Sequence, residues 1–248
     1  MITRYPLATY RELPQAKTEP FLTPISVVWH TAVSWQSSLY GFFNSPAANG
    51  VESHLYLRID GTWEQYMPFN RQADCQRDGN KYAISIESQD NGASDPDDIT
   101  PWSTAQLESS SRFLVWAHEN LHIPLRVCPA YNASGIGYHA LFTGDPGWNK
   151  SHACPARRRI AQFPTILERA IELVGNKKLG RYAMALGPAI VVENQSHPEK
   201  GLFAVTFDGL VHIKNPTHKD YLISQGWIRE DTKSISDWAF NQLNEKES

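Results

Sequence analysis

The chain has 248 residues, of which 41% are hydrophobic and 20% are charged, and its formal net charge is −3. This composition supports a packed core and excludes an intrinsically disordered chain. The slightly negative net charge excludes binding to nucleic acid or anionic membranes through overall electrostatic attraction. No apolar run approaches the length of a bilayer span and the N-terminus lacks the apolar stretch of a secretion signal, so we expect a soluble protein made without a signal peptide.

The first elements in chain order are predicted from apolar runs and turn residues. A buried strand is predicted over residues 25–29, ISVVW, and it ends immediately before His30. Residues 35–43 are predicted to be helical, and residues 53–66 are predicted to form a hairpin with Asp60-Gly61 at its turn. Residues 81–87, KYAISIE, alternate between two faces, which predicts a strand that ends at Glu87.

The helices of the middle of the chain follow from their start and stop signals. Thr100-Pro101 precedes an apolar stripe at helical spacing, which predicts a helix to about His122 that Pro124 terminates. A second helix is predicted over about 156–174, after a loop that contains GIGYH and SHACP.

The composition changes near the C-terminus. Residues 176–180, NKKLG, predict a hinge, and residues 202–213 predict a hairpin. Two short helical stretches are predicted around 217–225 and 234–243. The tail is therefore predicted to be a small module of its own.

The pentapeptide HENLH, residues 118–122, fits the H-E-x-x-H pattern of zinc proteases. The extended form of that pattern requires glycine and then histidine at positions that Leu125 and Cys128 occupy. The other form requires a glutamate ligand on a following helix, and the next glutamate after Glu119 is Glu168. We therefore interpret HENLH as the end of an amphipathic helix.

A second set of residues has the donor types of a catalytic zinc site. His30 ends a predicted strand, His139 lies in GIGYH, and Cys154 precedes Pro155. Two imidazoles and one thiolate leave zinc an open fourth position, as a catalytic site requires. Spacing alone does not establish this set, because the three residues lie far apart, and each cysteine could equally be a small buried hydrophobic residue.

Five segments occur in an order that is typical of one family. They are VVWHTA (27–32), GVESHLYLRIDGTWEQYMPF (50–69), YAISIES (82–88), GIGYH (135–139) and HACP (152–155). Together they resemble the zinc-dependent N-acetylmuramoyl-L-alanine amidases of the type-2 superfamily, which are related to peptidoglycan recognition proteins and common among phage endolysins. The resemblance covers roughly residues 20–172. It implies an α/β catalytic domain over residues 1–175, with a mixed central sheet flanked by helices, followed by a small α+β module over 181–248.

The resemblance also implies the roles of site residues. It places the three Zn²⁺ ligands at His30, His139 and Cys154, and the acid–base residue at Glu87. Amide hydrolysis needs a nucleophilic water, a polarised carbonyl and a proton for the leaving amine; zinc lowers the pKa of a bound water to about 7, and Glu87 could transfer the proton. His152 stands where relatives often have lysine or threonine, and it could donate a hydrogen bond to the developing oxyanion or be a bystander.

Two other family positions have alternative roles, and two depart from the pattern. His54 belongs to the pattern without being a ligand, so it either packs or lines the substrate groove. Trp148 could stack on sugar or peptide, or pack. Ser53 stands where some relatives have tyrosine, and Ala156 stands where relatives usually have glycine.

The implied activity is hydrolysis of the bond between N-acetylmuramic acid and L-alanine of the peptidoglycan stem peptide. Cysteine as third ligand favours a phage or prophage endolysin, made in the host cytoplasm and released to the cell wall through a holin-type membrane lesion. The alternatives are a cytosolic muropeptide-recycling amidase and a peptidoglycan-binding protein without catalysis. We expect the tail, with its Asp208-Gly209 turn, Trp227 and Trp238, to bind cell wall, to form its own core or to stabilise the catalytic domain.

Overall fold

A computed structural model describes residues 2–144, 148, 153–186, 189–194, 201–206, 209–213 and 228–234. The chain divides into two compact units, Met1–Leu173 and Val174–Ser248. Within the described ranges, no helix combines the length and the apolar character needed to cross a membrane.

The first unit is built on a mixed sheet of six strands. In chain order the strands are β1 (Ala8–Tyr10), β2 (Ser26–Trp29), β3 (Leu55–Leu57), β4 (Trp63–Gln65), β5 (Ala83–Ser88) and β6 (Gly135–Tyr138). Their order across the sheet is β1-β4-β3-β5-β2-β6, and only the β3–β4 hairpin is antiparallel. The predicted mixed α/β sheet is confirmed, and the GIGYH segment, expected to lie in a loop, contributes its edge strand β6.

The central strands are buried on both faces, as expected for parallel strands covered by other elements. Val27 of β2, Leu55 of β3 and Ile84 of β5 have no exposed surface.

The predicted hairpin turn is also confirmed, since Gly61 has a φ of +83° and a Cβ there would lie 2.8 Å from the carbonyl oxygen of Ala105.

The part of the chain that the structure describes contains three α-helices: α1 (Tyr40–Phe43), α2 (Thr104–Leu121) and α3 (Arg157–Leu186). Helix α2 starts at a capping box in which the Ser103 hydroxyl accepts from the Gln106 N–H and the Gln106 side chain accepts from the Ser103 N–H. The helix therefore begins three residues after the predicted Thr100-Pro101 start. Its buried face includes Phe113, Leu114 and Ala117, as the apolar stripe predicted.

The helix predicted over 35–43 is wrong except for its last turn, α1. Backbone groups of this segment bond to side chains of other elements instead of to each other. The Leu39 N–H donates to the Tyr66 hydroxyl at 2.9 Å, and the Gln36 carbonyl accepts from the Tyr56 hydroxyl at 2.6 Å. Tertiary hydrogen bonds thus replace the helical ones.

The hinge predicted at 176–180 is wrong, because α3 continues through it to Leu186. No proline interrupts these residues, and a single glycine costs a helix only about 1 kcal/mol.

After the end of α3, the described residues of the second unit form a four-stranded sheet. Its strands are β7 (Ala189–Asn194), β8 (Gly201–Thr206), β9 (Gly209–Ile213) and β10 (Ile228–Ser234), in the order β10-β7-β8-β9. The predicted hairpin is present, with Thr206 opposite Gly209. Strand β10, parallel to β7, was not predicted.

Several sequence predictions for the tail lie outside the described residues. They concern the helical stretch at 217–225, all of the stretch at 234–243 except Ser234, and Asp208, Trp227 and Trp238.

Candidate active site

The site forms where three parallel strands end side by side. Strand β2 lies between β5 and β6, and Trp29 is paired with Ile86 on one side and with Tyr138 on the other. One residue further along each strand are Glu87, His30 and His139. The strand register therefore places these side chains in one row at the carboxyl edge of the sheet, where open α/β sheets bind their ligands.

The three predicted metal ligands lie together at this edge. The ligand atoms of His30, His139 and Cys154 are all within 4.8 Å of one another. Both histidines are buried, at 2% and 5% exposure, and their ring centroids are 4.6 Å apart. The chain delivers Cys154 from the turn before α3, where the Thr31 N–H donates to its Sγ at 3.2 Å.

The chemistry of this donor set fits a zinc ion. Two imidazole nitrogens and one thiolate sulfur are preferred zinc ligands, with bonds of about 2.0–2.3 Å, and three protein ligands leave one position open. Burial, together with the nearby Glu87 carboxylate, raises the pKa of the Cys154 thiol well above its usual range. A thiolate at this position therefore requires a cationic neighbour, which a divalent ion supplies.

Glu87 lies next to the ligand cluster, in the same cavity. Its Oε1 accepts a hydrogen bond from the Cys75 thiol at 3.6 Å, and its buried Oε2 has no hydrogen-bond partner. Burial raises the pKa of Glu87 to about 8, the Cys75 hydrogen bond opposes this rise, and the Asp90 carboxylate adds to it. A carboxyl group with a pKa near neutrality can both accept and return a proton.

The site opens into a cavity of about 430 Å³. Its polar lining includes His30, Glu87, His139 and Cys154, together with Cys75. Its apolar lining consists largely of Val33, Val51, Pro96 and Ile99. The cavity therefore combines a few convergent polar groups with an apolar wall, as ligand sites do.

The structure corrects the substrate-binding role predicted for His54. This residue has no exposed surface, and its Nε2 hydrogen-bonds the Arg71 carbonyl at 2.8 Å. Its Nδ1 lies 3.1 Å from Ser85 Oγ, and burial lowers the pKa of His54 to about 4. His54 is therefore a neutral packing residue, the other role that the sequence left open.

Trp148 is likewise a packing residue and is only 1% exposed. Its Nε1–H donates to the His139 carbonyl at 2.8 Å, and the two rings make an edge contact with centroids 5.3 Å apart. A Cβ on Gly79 would lie 2.1 Å from the indole. The indole thus supports a predicted metal ligand from behind and cannot stack on substrate.

The remaining sequence hypotheses concern His152, HENLH and the cysteines. His152 lies outside the described residues. Helix α2 ends at Leu121, and His122 has a φ of 58°, so the two HENLH histidines do not share a helical face. The ring of His118 hydrogen-bonds the Ile123 carbonyl. Cys75 and Cys128 are not joined by a disulfide.

Three residues around the site carried no recognisable signal in the sequence. Arg159 is fully buried and donates hydrogen bonds to the two residues that follow Glu87. Cys75 contacts Glu87, and Gln76 contacts His30. Arg159 lies in the first turn of α3, and Cys75 and Gln76 lie between strands; no local pattern encodes the tertiary contacts that these residues make.

Comparisons with known proteins agree with this fold. The family model described as N-acetylmuramoyl-L-alanine amidase matches residues 21–157. No curated protein sequence matches the chain significantly.

Similar solved structures include the hydrolase AmiA of Staphylococcus aureus in complex with its ligand, with a TM-score of 0.50 at 12% identity, covering 69% of this chain and 87% of that chain. The N-acetylmuramoyl-L-alanine amidase LysC of Clostridium intestinale has a TM-score of 0.48 at 17% identity, covering 65% of this chain and 95% of that chain. Because the family model spans more than half of the 248 residues, the chain belongs to the N-acetylmuramoyl-L-alanine amidase family.

Proposed function

We propose that this amidase is zinc-dependent and hydrolyses the amide bond between the lactyl group of N-acetylmuramic acid and L-alanine of the stem peptide. One observation carries the proposal. The ligand atoms of His30, His139 and Cys154 converge in a cavity that also holds the Glu87 carboxyl group. A metal with an open position beside a proton-transferring carboxylate is what hydrolysis of an unactivated amide requires.

Each residue then has a distinct role. His30, His139 and Cys154 hold Zn²⁺, which supplies polarisation of the scissile carbonyl and a lowered pKa for a water molecule. Glu87 takes the proton of the attacking water and delivers it to the departing amine of L-alanine, with Oε2 facing no competing donor. We assign His152 the hydrogen bond to the developing oxyanion; if so, His152→Lys retains more activity than His152→Ala.

We further propose that the enzyme is a phage or prophage endolysin that reaches the cell wall from the host cytoplasm through a holin-type lesion. Cysteine rather than aspartate as third ligand supports this role, through the resemblance to endolysins.

Residues 181–248 are proposed to bind or position cell wall. Their support is that the second unit, Val174–Ser248, is compact by itself and contains its own four-stranded sheet. A fragment ending at Leu186 keeps α3 whole. It should cleave small soluble muropeptides normally but sediment poorly with whole walls. Undiminished sedimentation contradicts wall binding, and failure to fold favours a stabilising role.

The decisive experiment is digestion of purified cell walls. We expect turbidity to fall and free amino groups to appear, without new reducing sugars. The matched control is Glu87→Gln, which should fold and hold zinc yet lose activity by about 10²-fold or more. Reducing ends without new amines would identify a glycosidase and contradict the proposal, and near-normal turnover of Glu87→Gln would remove that residue from the mechanism.

A further inference from the structure

The segment Asp74–Asn80 lies beside the proposed catalytic site and is closed by one asparagine. Asn80 Oδ1 accepts from the backbone N–H groups of Cys75 and Gln76, at 3.2 and 2.8 Å. Its Nδ2 donates to Asp74 Oδ1 at 2.9 Å. The side chain of Asn80, at the end of the segment, therefore holds the backbone of the dipeptide Cys75-Gln76 near its start.

The first member of the site that this dipeptide contacts is His30. The buried Gln76 side chain places Oε1 2.9 Å from His30 Nε2. An amide oxygen can only accept, so this contact favours the tautomer in which His30 Nε2 carries the hydrogen. Since a metal binds an unprotonated ring nitrogen, this tautomer leaves Nδ1 for the metal.

The orientation of the Gln76 amide leaves one of its two polar atoms unpaired. Gln76 Nε2 is buried without a hydrogen-bond partner. Leaving a buried donor unsatisfied is unfavourable, and native proteins do so mainly where another requirement decides the geometry. With Oε1 facing His30 Nε2, the Gln76 amide favours the tautomer that carries its hydrogen on Nε2.

The second contact of the dipeptide is with Glu87. The Cys75 thiol donates to Glu87 Oε1, which leaves the buried, unpartnered Oε2 as the oxygen available for proton transfer. Both Cys75 and Glu87 line the same cavity.

We propose that Cys75 and Gln76 are positioning residues of this active site, with Gln76 orienting His30 for metal binding and Cys75 holding the Glu87 carboxyl group in place. This inference rests on the proposed function for the role of Glu87. The part that concerns Gln76 is measured as metal affinity, so it is tested even if the enzyme fails to cleave walls.

The test of Gln76 uses the full-length chain and Zn²⁺ alone, with its dissociation constant measured by competition with a chelator. Gln76→Met keeps the volume but removes the acceptor, and it should weaken zinc binding by about 10–100-fold, as loss of such partners does elsewhere. Gln76→Glu keeps an acceptor and should remain within about 3-fold of the wild type. The control Gln72→Met changes a glutamine whose side chain bonds the Phe21 carbonyl at the surface. Wild-type affinity in Gln76→Met, or an equal loss in Gln76→Glu, overturns the orienting role.

The test of Cys75 is a comparison of kcat and KM on a defined muropeptide. Cys75→Ala should lower kcat by about 3- to 10-fold, the worth of one neutral hydrogen bond, at unchanged KM and zinc content. Cys75→Ser restores a donor and should recover most of the loss. Cys128→Ala, the loss of a buried thiol outside the cavity lining, is the matched control. Equal kcat in the alanine and wild-type enzymes, or no recovery with serine, overturns the proposal for Cys75. An inactive wild type would instead count against the proposed function.

Discussion

Arg159 is the fully buried cation behind the active site, and removing it is a sensitive test of the fold. It lies in the first turn of α3, five residues after Cys154. Its Nε donates to the Thr100 carbonyl at 2.8 Å, its Nη1 to Ser88 Oγ at 2.7 Å, and its Nη2 to the Gln89 carbonyl at 2.8 Å. These bonds tie the segment that carries Cys154 to the end of the strand that carries Glu87.

The cost of Arg159→Met follows from these three bonds. Each hydrogen bond from a charged donor contributes about 1.5–3 kcal/mol, and the variant leaves buried acceptors without a partner. The variant no longer has to desolvate a guanidinium group, which offsets part of the loss; burial already lowers the pKa of Arg159 to about 10. We expect a net decrease of about 3–5 kcal/mol in the free energy of unfolding.

Thermal unfolding followed by circular dichroism measures this decrease. At about 2–4 °C per kcal/mol, Tm should fall by roughly 6–20 °C. The neighbouring Arg158 is exposed, so Arg158→Met is a matched control that should stay within about 0.5 kcal/mol of the wild type. If Arg159→Met also stays within about 1 kcal/mol, the buried bonds do not hold the two segments together and the reasoning fails.

Three further outcomes are expected. Cys154→Ser should lose most of the zinc and the activity together while His118→Ala keeps both, as metal analysis and wall digestion can show; the reverse pattern would make HENLH the metal site. Ala156 has a φ of 86°, where glycine is favoured, so Ala156→Gly should raise the free energy of unfolding by about 1 kcal/mol and Tm by about 2–4 °C, and a lower Tm would contradict this. Burial raises the pKa of Glu52 to about 7 from its ordinary 4.5, so its contribution to stability is complete below pH 4.5 and is lost progressively as pH rises from 4.5 through 7. Glu52→Gln should match the wild type near pH 4 and exceed it by about 2 kcal/mol at pH 8 in urea unfolding, whereas a gap independent of pH would exclude ionisation as the cause.

The sequence by itself determined two of the three strands that carry the site, β2 and β5, and the residues at their ends; β6, which precedes His139, was expected to be a loop. The apolar run before His30 and the alternation before Glu87 are local patterns. They predict these strands correctly because a strand that is buried in a sheet requires apolar or small residues along its length. The five ordered segments indicated the amidase family and named the candidate metal ligands that the fold brings within 4.8 Å of one another.

Only the tertiary structure decided which polar residues face the cavity. His54 and Trp148 have the residue types of a binding site, yet they are 0% and 1% exposed and serve as packing. Cys75 and Gln76 showed no pattern, yet they contact Glu87 and His30. The direction of a side chain in a loop depends on which groups its backbone bonds, here the side chain of Asn80 within the same segment, and such bonds form only as the chain folds.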